Sequence, residues 1–138
     1  HAAVGALVEV NEQTLDVRLR HLVIAADAGQ IIDRDGLANQ LEGGAIQAAS
    51  WALKEAVHFD GEGLTSADWL EYPILRFNEV PTVHVDLIDH PEAPSLGAGE
   101  ATHGPTPAAI ANAVFNATGV RCRELPLTPD ALRHAAGI

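Results

Sequence analysis

The stretch LVIAADAGQIIDRDGLANQLEGGAIQAASWALKEAV, Leu22 to Val57, decides the fold class because it runs from a strand into a helix. Its first five residues are continuously apolar, a pattern typical of a strand covered on both faces. Asp33 or Asp35 can cap a helix over residues 36–57. Apolar residues recur there at helical spacing and predict one buried stripe: Leu37, Leu41, Ala45, Ala48, Ala52 and Ala56.

Alternating residues before this stretch predict a β-hairpin. Residues 4–10 alternate between the two faces of a strand, residues 11–13 form the turn, and residues 15–20 alternate again as the return arm. Residues 83–87 repeat the alternation in a third strand. We therefore expect an α+β domain of two layers.

Two threonine–proline pairs indicate where further helices begin. Thr106-Pro107 is typical of a cap followed by a first-turn proline, and that helix should end near Thr118-Gly119. Thr128-Pro129 predicts a final short helix in the same way. The complete expectation is a mixed or antiparallel sheet packed by two main helices, in a single domain over residues 1–138.

Composition excludes several classes of protein. The chain has 138 residues, 47% of them hydrophobic, which is enough for one folded domain. Nineteen acidic against eight basic residues give a net charge of −11, which argues against nucleic acid and anionic lipid partners. No apolar run is long enough for a membrane span. Cys122 is the only cysteine, so thiolate clusters and internal disulfides are excluded, and a cytoplasmic location fits although a periplasmic one stays open.

Glycines mark two places where the backbone can closely approach another group. Gly43-Gly44 lies inside the predicted helix, where each glycine costs on the order of 1 kcal/mol relative to alanine. Either ordinary packing against a neighbouring element or the close approach of a ligand would explain that cost. Farther along, Gly97-Ala98-Gly99-Glu100 places one carboxylate in a loop of small residues before a helix. That loop is either a solvated turn or the wall of a pocket.

The two glycine motifs together resemble the molybdenum hydroxylases, the superfamily of xanthine oxidase and aldehyde oxidoreductase. The likeness is to the large molybdopterin-binding subunit of the isoquinoline 1-oxidoreductase type, in its C-terminal part. In that family a helix carrying Gly/Asn-Gln-x-Glu-Gly-Gly is followed some sixty residues later by Gly-x-Gly-Glu. The matching stretches are Asn39–Gly44 and Gly97–Glu100, and VIAADAGQIIDRDG and AIANAVFNATG are also similar.

The resemblance implies roles for individual residues. Glu100 would be the catalytic general base in the hydroxylation of an aldehyde or N-heterocycle with oxygen taken from water, and Gln40 would hydrogen-bond the pterin. Gly99 and Ala101 lie among the backbone amides that could contact the cofactor, because glycine-rich turns before helices attract anions. Glu42 is assigned to structure, as a carboxylate that bonds backbone N–H groups. The scattered histidines show no metal-ligand spacing, so no residue is predicted to bind a metal.

The same resemblance implies a larger assembly. The cofactor would be a molybdenum pyranopterin, in its simple or cytosine dinucleotide form, and the partners would be the remainder of the molybdopterin-binding subunit and an iron–sulfur subunit. We expect this chain to be a fragment that folds alone without stoichiometric molybdenum. Two departures, Ala28 in place of a frequent cysteine and Ala101 in place of a frequent proline, leave open a non-catalytic binding or assembly module that retains the fold.

Overall fold

The fold is a three-stranded sheet with helices on one face, in the order β1(Ala2–Val10), β2(Val17–Asp27), α1(Arg34–Leu53), β3(Thr82–Ile88), α2(Pro105–Thr118) and α3(Pro129–Ala136). The computed structural model describes all 138 residues. β2 is central, antiparallel to β1 and parallel to β3. The expected two-layer α+β domain is confirmed, and of the two expected sheet types, mixed or antiparallel, the sheet is mixed.

A bulge in β2 explains why its sequence pattern changes. Leu7 pairs with His21 and Val8 pairs with Leu19, so Arg20 is an extra residue facing β1. An extra residue resets the alternation of a strand, and Leu19 and Leu22 are therefore both buried. The prediction that residues 22–26 are covered on both faces is wrong, because Val23 on the outer face is 49% exposed.

The core lies between the sheet and the helices. α2 packs on β1, and α1 packs on β2 and β3. Helix α1 contributes mainly small side chains, which let the helix lie close to the sheet. The buried cluster consists of Leu19, Leu22, Ile24, Ala26, Leu41, Ala45, Ala49, Ala52, Ile110, Val114, Leu127 and Leu132.

Helix caps follow the sequence at two of the three helices. Asp33 caps α1 by accepting a hydrogen bond from the Gly36 N–H, and Thr128 caps α3 by accepting one from the Ala131 N–H. The prediction that Thr106 caps α2 is wrong. Gly104 occupies the cap position without a side-chain hydrogen bond, and Thr106 lies inside the first turn, fully buried. None of these helices is both long enough and apolar enough to cross a membrane.

Candidate functional site

The parallel pairing of β2 and β3 brings the loops that follow them to one edge of the sheet. The Leu96 N–H donates to the Ala28 carbonyl at 2.9 Å. Gly29, with φ +73°, lies so near the Pro94 carbonyl that a Cβ atom there would stand 2.0 Å from its oxygen. These contacts hold the start of the Gly97–Glu100 loop beside the turn that leads into α1.

A side chain from α1 fastens the middle of that loop. The Gln40 Nε2 donates to the Gly99 carbonyl at 2.8 Å, across 59 residues of sequence. The structure thus brings together two residues that the sequence predicts at the site. The hydrogen bond uses the amide nitrogen of Gln40 and leaves its Oε1 free to accept another donor.

The turn after Glu100 packs closely against Gly44. The Thr102 hydroxyl donates to the Leu41 carbonyl at 3.1 Å, and Thr102 is buried. A Cβ atom at Gly44 would stand 2.7 Å from the Thr102 Oγ1 and 3.3 Å from the His103 Cε1. Packing within the chain therefore explains why residue 44 is a glycine. Gly43 is exposed and has nothing within 4 Å of its Cβ position, so no contact in this chain accounts for it.

Glu100 is exposed at the tip of this turn. Its carboxylate makes no hydrogen bond within the chain, while its carbonyl accepts from the His103 N–H at 3.2 Å. The carboxylate is thus free to accept a proton or a donor from a neighbouring molecule. Glu42 is likewise exposed and its carboxylate accepts no hydrogen bond within the chain, so the prediction that it accepts from backbone N–H groups is wrong.

Backbone donors lie unused along the same loop. The N–H groups of the four residues Gly97, Ala98, Gly99 and Glu100 donate to no group of the chain. The Ala101 N–H differs, because it donates to the Ala98 carbonyl at 3.3 Å. A run of free N–H groups attracts an anion or a hydrogen-bond acceptor. Gly99 therefore has a free N–H, while its carbonyl accepts the hydrogen bond from Gln40. The N–H of Ala101 is already hydrogen-bonded within the chain.

Sequence reasoning did not find the aromatic contact below this turn. The ring of His103 stacks on Trp51 with centroids 5.1 Å apart and planes inclined by 26°. The His103 Nε2 lies 3.2 Å from the Gln47 Oε1. The His103 Nδ1 and the Thr106 Oγ1 are buried without a hydrogen-bond partner. In the sequence, the only feature that points to a role for His103 at this site is its position three residues after Glu100.

The site is an open surface in this chain. A cavity of about 530 Å³ lies near Lys54 and Glu79, and one of about 620 Å³ is lined mainly by Trp69, Ile74 and Phe77; neither includes Glu100. No three His, Cys, Asp or Glu side chains come together as metal ligands. The Gln40 side chain, the free amides and Glu100 thus form one wall that needs an opposing surface to enclose a ligand.

Known proteins are similar to this chain in sequence. The model of the molybdopterin cofactor-binding domain family matches residues 1–81. The chain is 42% identical over 136 residues to a nicotinate dehydrogenase protein of Pseudomonas putida, covering 99% of this chain and 12% of that relative. It is 33% identical over 129 residues to the beta chain of isoquinoline 1-oxidoreductase from Brevundimonas diminuta, covering 94% and 16%.

A solved structure agrees with these relatives. The chain superposes on quinoline 2-oxidoreductase from Pseudomonas putida 86 with a TM-score of 0.85 and 25% sequence identity, covering 96% of this chain and 18% of that one. It therefore spans less than a fifth of each of these proteins. The family expected from the two glycine motifs is confirmed: the chain belongs to the molybdopterin cofactor-binding domains of the molybdenum hydroxylases.

Proposed function

We propose that this chain forms one wall of the cofactor site in a longer molybdenum-dependent hydroxylase or dehydrogenase, with Glu100 as its general base. The observation that carries the proposal is the hydrogen bond from Gln40 to the Gly99 carbonyl. This hydrogen bond joins the two motifs of the resemblance, because Gly99 directly precedes Glu100, and it supports a shared site for Gln40 and Glu100.

The residues present fit a pyranopterin. The free N–H groups of Gly97–Glu100 are donors for phosphate or pterin oxygens, and the Gln40 Oε1 is an acceptor for pterin N–H groups. The open space at Gly43 leaves room for close approach to α1. These groups would hold the simple cofactor or its cytosine dinucleotide form. Ala101, with its N–H already bonded, would contribute van der Waals contact.

The chemistry assigned to this chain is proton acceptance. When bound, a molybdenum cofactor supplies the redox-active centre and makes deprotonation of water-derived oxygen easier. The Glu100 carboxylate makes no competing hydrogen bond within the chain, so it can take up that proton. The small residues around Glu100 leave space for a substrate beside it.

The names of two relatives support a substrate class, and the family resemblance supports the proposed partners. Two are named for nicotinate and isoquinoline, which favours an N-heterocycle, with an aldehyde as the second class. The opposing wall would come from the remainder of the molybdopterin-binding subunit, and electrons would leave through an iron–sulfur subunit.

Replacing Glu100 with Gln in the complete enzyme tests the proposal. The amide keeps the size of the side chain but cannot accept the proton, so single-turnover reduction by substrate should slow by about 10²–10⁴-fold. Molybdenum content should stay at the wild-type level, because the backbone donors are unchanged. Rapid-mixing spectroscopy and elemental analysis measure these two quantities.

Glu92→Gln is the matched control, since Glu92 is also an exposed loop carboxylate and should leave the rate unchanged. If Glu100→Gln retained its molybdenum and reduced at close to the wild-type rate, Glu100 would not be the base. If the complete protein bound no cofactor and showed no activity before any mutation, the chain would instead belong to a non-catalytic module.

A further inference from the structure

The position of Glu100 depends on its neighbours in the chain. Its carboxylate makes no hydrogen bond within the chain, and residues 97–100 include two glycines and four N–H groups without partners. Such a segment has many accessible conformations unless other contacts restrict it. The contacts that do so come from α1.

On the N-terminal side of Glu100, the Gln40 Nε2 donates a hydrogen bond to the Gly99 carbonyl at 2.8 Å. Downstream, Thr102 and His103 pack on Gly44, and the His103 N–H closes the turn on the Glu100 carbonyl. Residues spaced by three or four lie on the same side of a helix. One face of α1 therefore supports both ends of the turn that carries Glu100.

The His103 ring makes two further contacts with α1. It stacks on Trp51, and its Nε2 lies 3.2 Å from the Gln47 Oε1, an oxygen that can accept a hydrogen bond from an Nε2–H. Its Nδ1 is buried. Stacking, one hydrogen bond and burial together restrict the ring to one orientation, and the ring is attached three residues from the proposed base.

We infer that His103, held by Trp51 and Gln47, is a positioning residue that sets the location of the Glu100 carboxylate. The inference rests on the proposed role of Glu100 as base. His103 itself would not touch substrate or cofactor. The His103 side chain would act through the turn over residues 100–103. Its removal would leave the Glu100 carboxylate present but displaced.

A double-mutant cycle in the complete enzyme tests this inference. His103→Ala should slow single-turnover reduction by about 10–100-fold, because small displacements of a catalytic group have large effects on rate. The KM and the molybdenum content should stay near wild type. In an enzyme that already carries Glu100→Gln, His103→Ala should cause no further loss, since the base that it positions is gone.

Hydrogen exchange provides a readout that is independent of activity. In His103→Ala, amide exchange should accelerate in the peptide over residues 96–106 and stay unchanged in the hairpin over residues 1–27. His103→Phe keeps the ring on Trp51 and should restore part of both the rate and the protection. His84→Ala is the control, because His84 is exposed on the outer face of β3.

Each outcome separates this inference from the one on which it rests. A slow Glu100→Gln enzyme combined with equal losses from His103→Ala in both backgrounds would overturn the positioning role alone. An unchanged rate and unchanged exchange in His103→Ala would do the same. A wild-type rate in Glu100→Gln would overturn the assignment of Glu100 as the base. The inference that His103 positions that base would then also be wrong.

Discussion

Gly43 and Gly44 are adjacent in α1 but have different surroundings. A Cβ atom at Gly44 would stand 2.7 Å from the Thr102 hydroxyl oxygen, whereas one at Gly43 would meet nothing within 4 Å. In the isolated chain, Gly44→Ala should therefore lower the free energy of unfolding by about 1–3 kcal/mol through overpacking. Gly43→Ala should raise it by about 0.5–1 kcal/mol, because alanine favours a helix interior.

Urea unfolding followed by circular dichroism measures both free energies, and each variant is the control for the other. If both variants changed the free energy of unfolding equally, helix propensity alone would explain the effect. Steric contact between residue 44 and Thr102 would then play no part. In the complete enzyme, a loss of molybdenum in Gly43→Ala would support close approach of the cofactor at that position.

Local motifs predicted part of the site at the residue scale. Gln40, Gly99 and Glu100 could be identified because each lies inside a short motif, and the structure places all three at one surface. The contact of His103 with Trp51 joins residues far apart in sequence. A lone histidine carries no pattern that reveals such a partner. Whether Glu100 and Gln40 serve the proposed chemistry stays a prediction.

At the scale of elements, the helices were more predictable than the details of β2. The caps at Asp33 and Thr128 and the α1 stripe as far as Ala52 follow from local chemistry, which acts within a few residues. The predicted helix end at residue 57 is wrong, because α1 ends at Leu53 and leaves Ala56 outside it. The bulge at Arg20 depends on pairing with β1, which composition does not show. Threonine favours caps, but Thr106 lies in the first turn of α2, where its hydroxyl is buried and makes no hydrogen bond, so the sequence misplaced the cap.

Asp27, at the end of β2, should make the stability of the fold depend on pH in the acid range. The backbone N–H of Gly29 lowers the pKa of the Asp27 carboxyl below its ordinary value of 3.8, and His90, with its Nδ1 2.9 Å away, acts in the same direction. A carboxyl with a lowered folded-state pKa stabilises the fold above its unfolded pKa, and this contribution is lost as the pH falls through the folded value. Asp27→Asn should therefore be less stable than wild type near neutral pH.

The difference in stability between Asp27→Asn and wild type should shrink as the pH falls below about 4. Denaturant unfolding at a series of pH values measures this difference. Glu12→Gln is the control, because Glu12 is an exposed carboxylate in the hairpin turn that makes no hydrogen bond. A gap that stayed constant from neutral pH to pH 2 would contradict the linkage.

At the scale of the whole molecule, much apolar surface is left uncovered. Trp69 is 71% exposed and Phe77 fully exposed, and one face of the sheet has no second layer. Such surface exceeds the isolated apolar residues of an ordinary monomer. It fits a domain that packs against further parts of a longer subunit, as the proposed function requires.

The isolated chain should consequently fold but lack molybdenum. Its core is complete between one sheet face and the helices, whereas only one wall of the proposed cofactor site is present. Circular dichroism should show cooperative unfolding, and elemental analysis should find far less than one molybdenum per chain. The complete subunit is the control. One molybdenum per isolated chain would show that this wall alone retains the cofactor.

The strand order has a consequence for how the sheet can grow. β1 and β3 are its two borders, and the outward backbone groups of a border strand have no partner. The bulge at Arg20 lies in the ladder between β1 and β2, inside the sheet, and the pairing of β3 with β2 is uninterrupted from His21–Thr82 to Asp27–Ile88. Either border could therefore pair with a strand from elsewhere. A strand added beside β3 would extend the sheet next to the strand from which the chain turns toward Glu100.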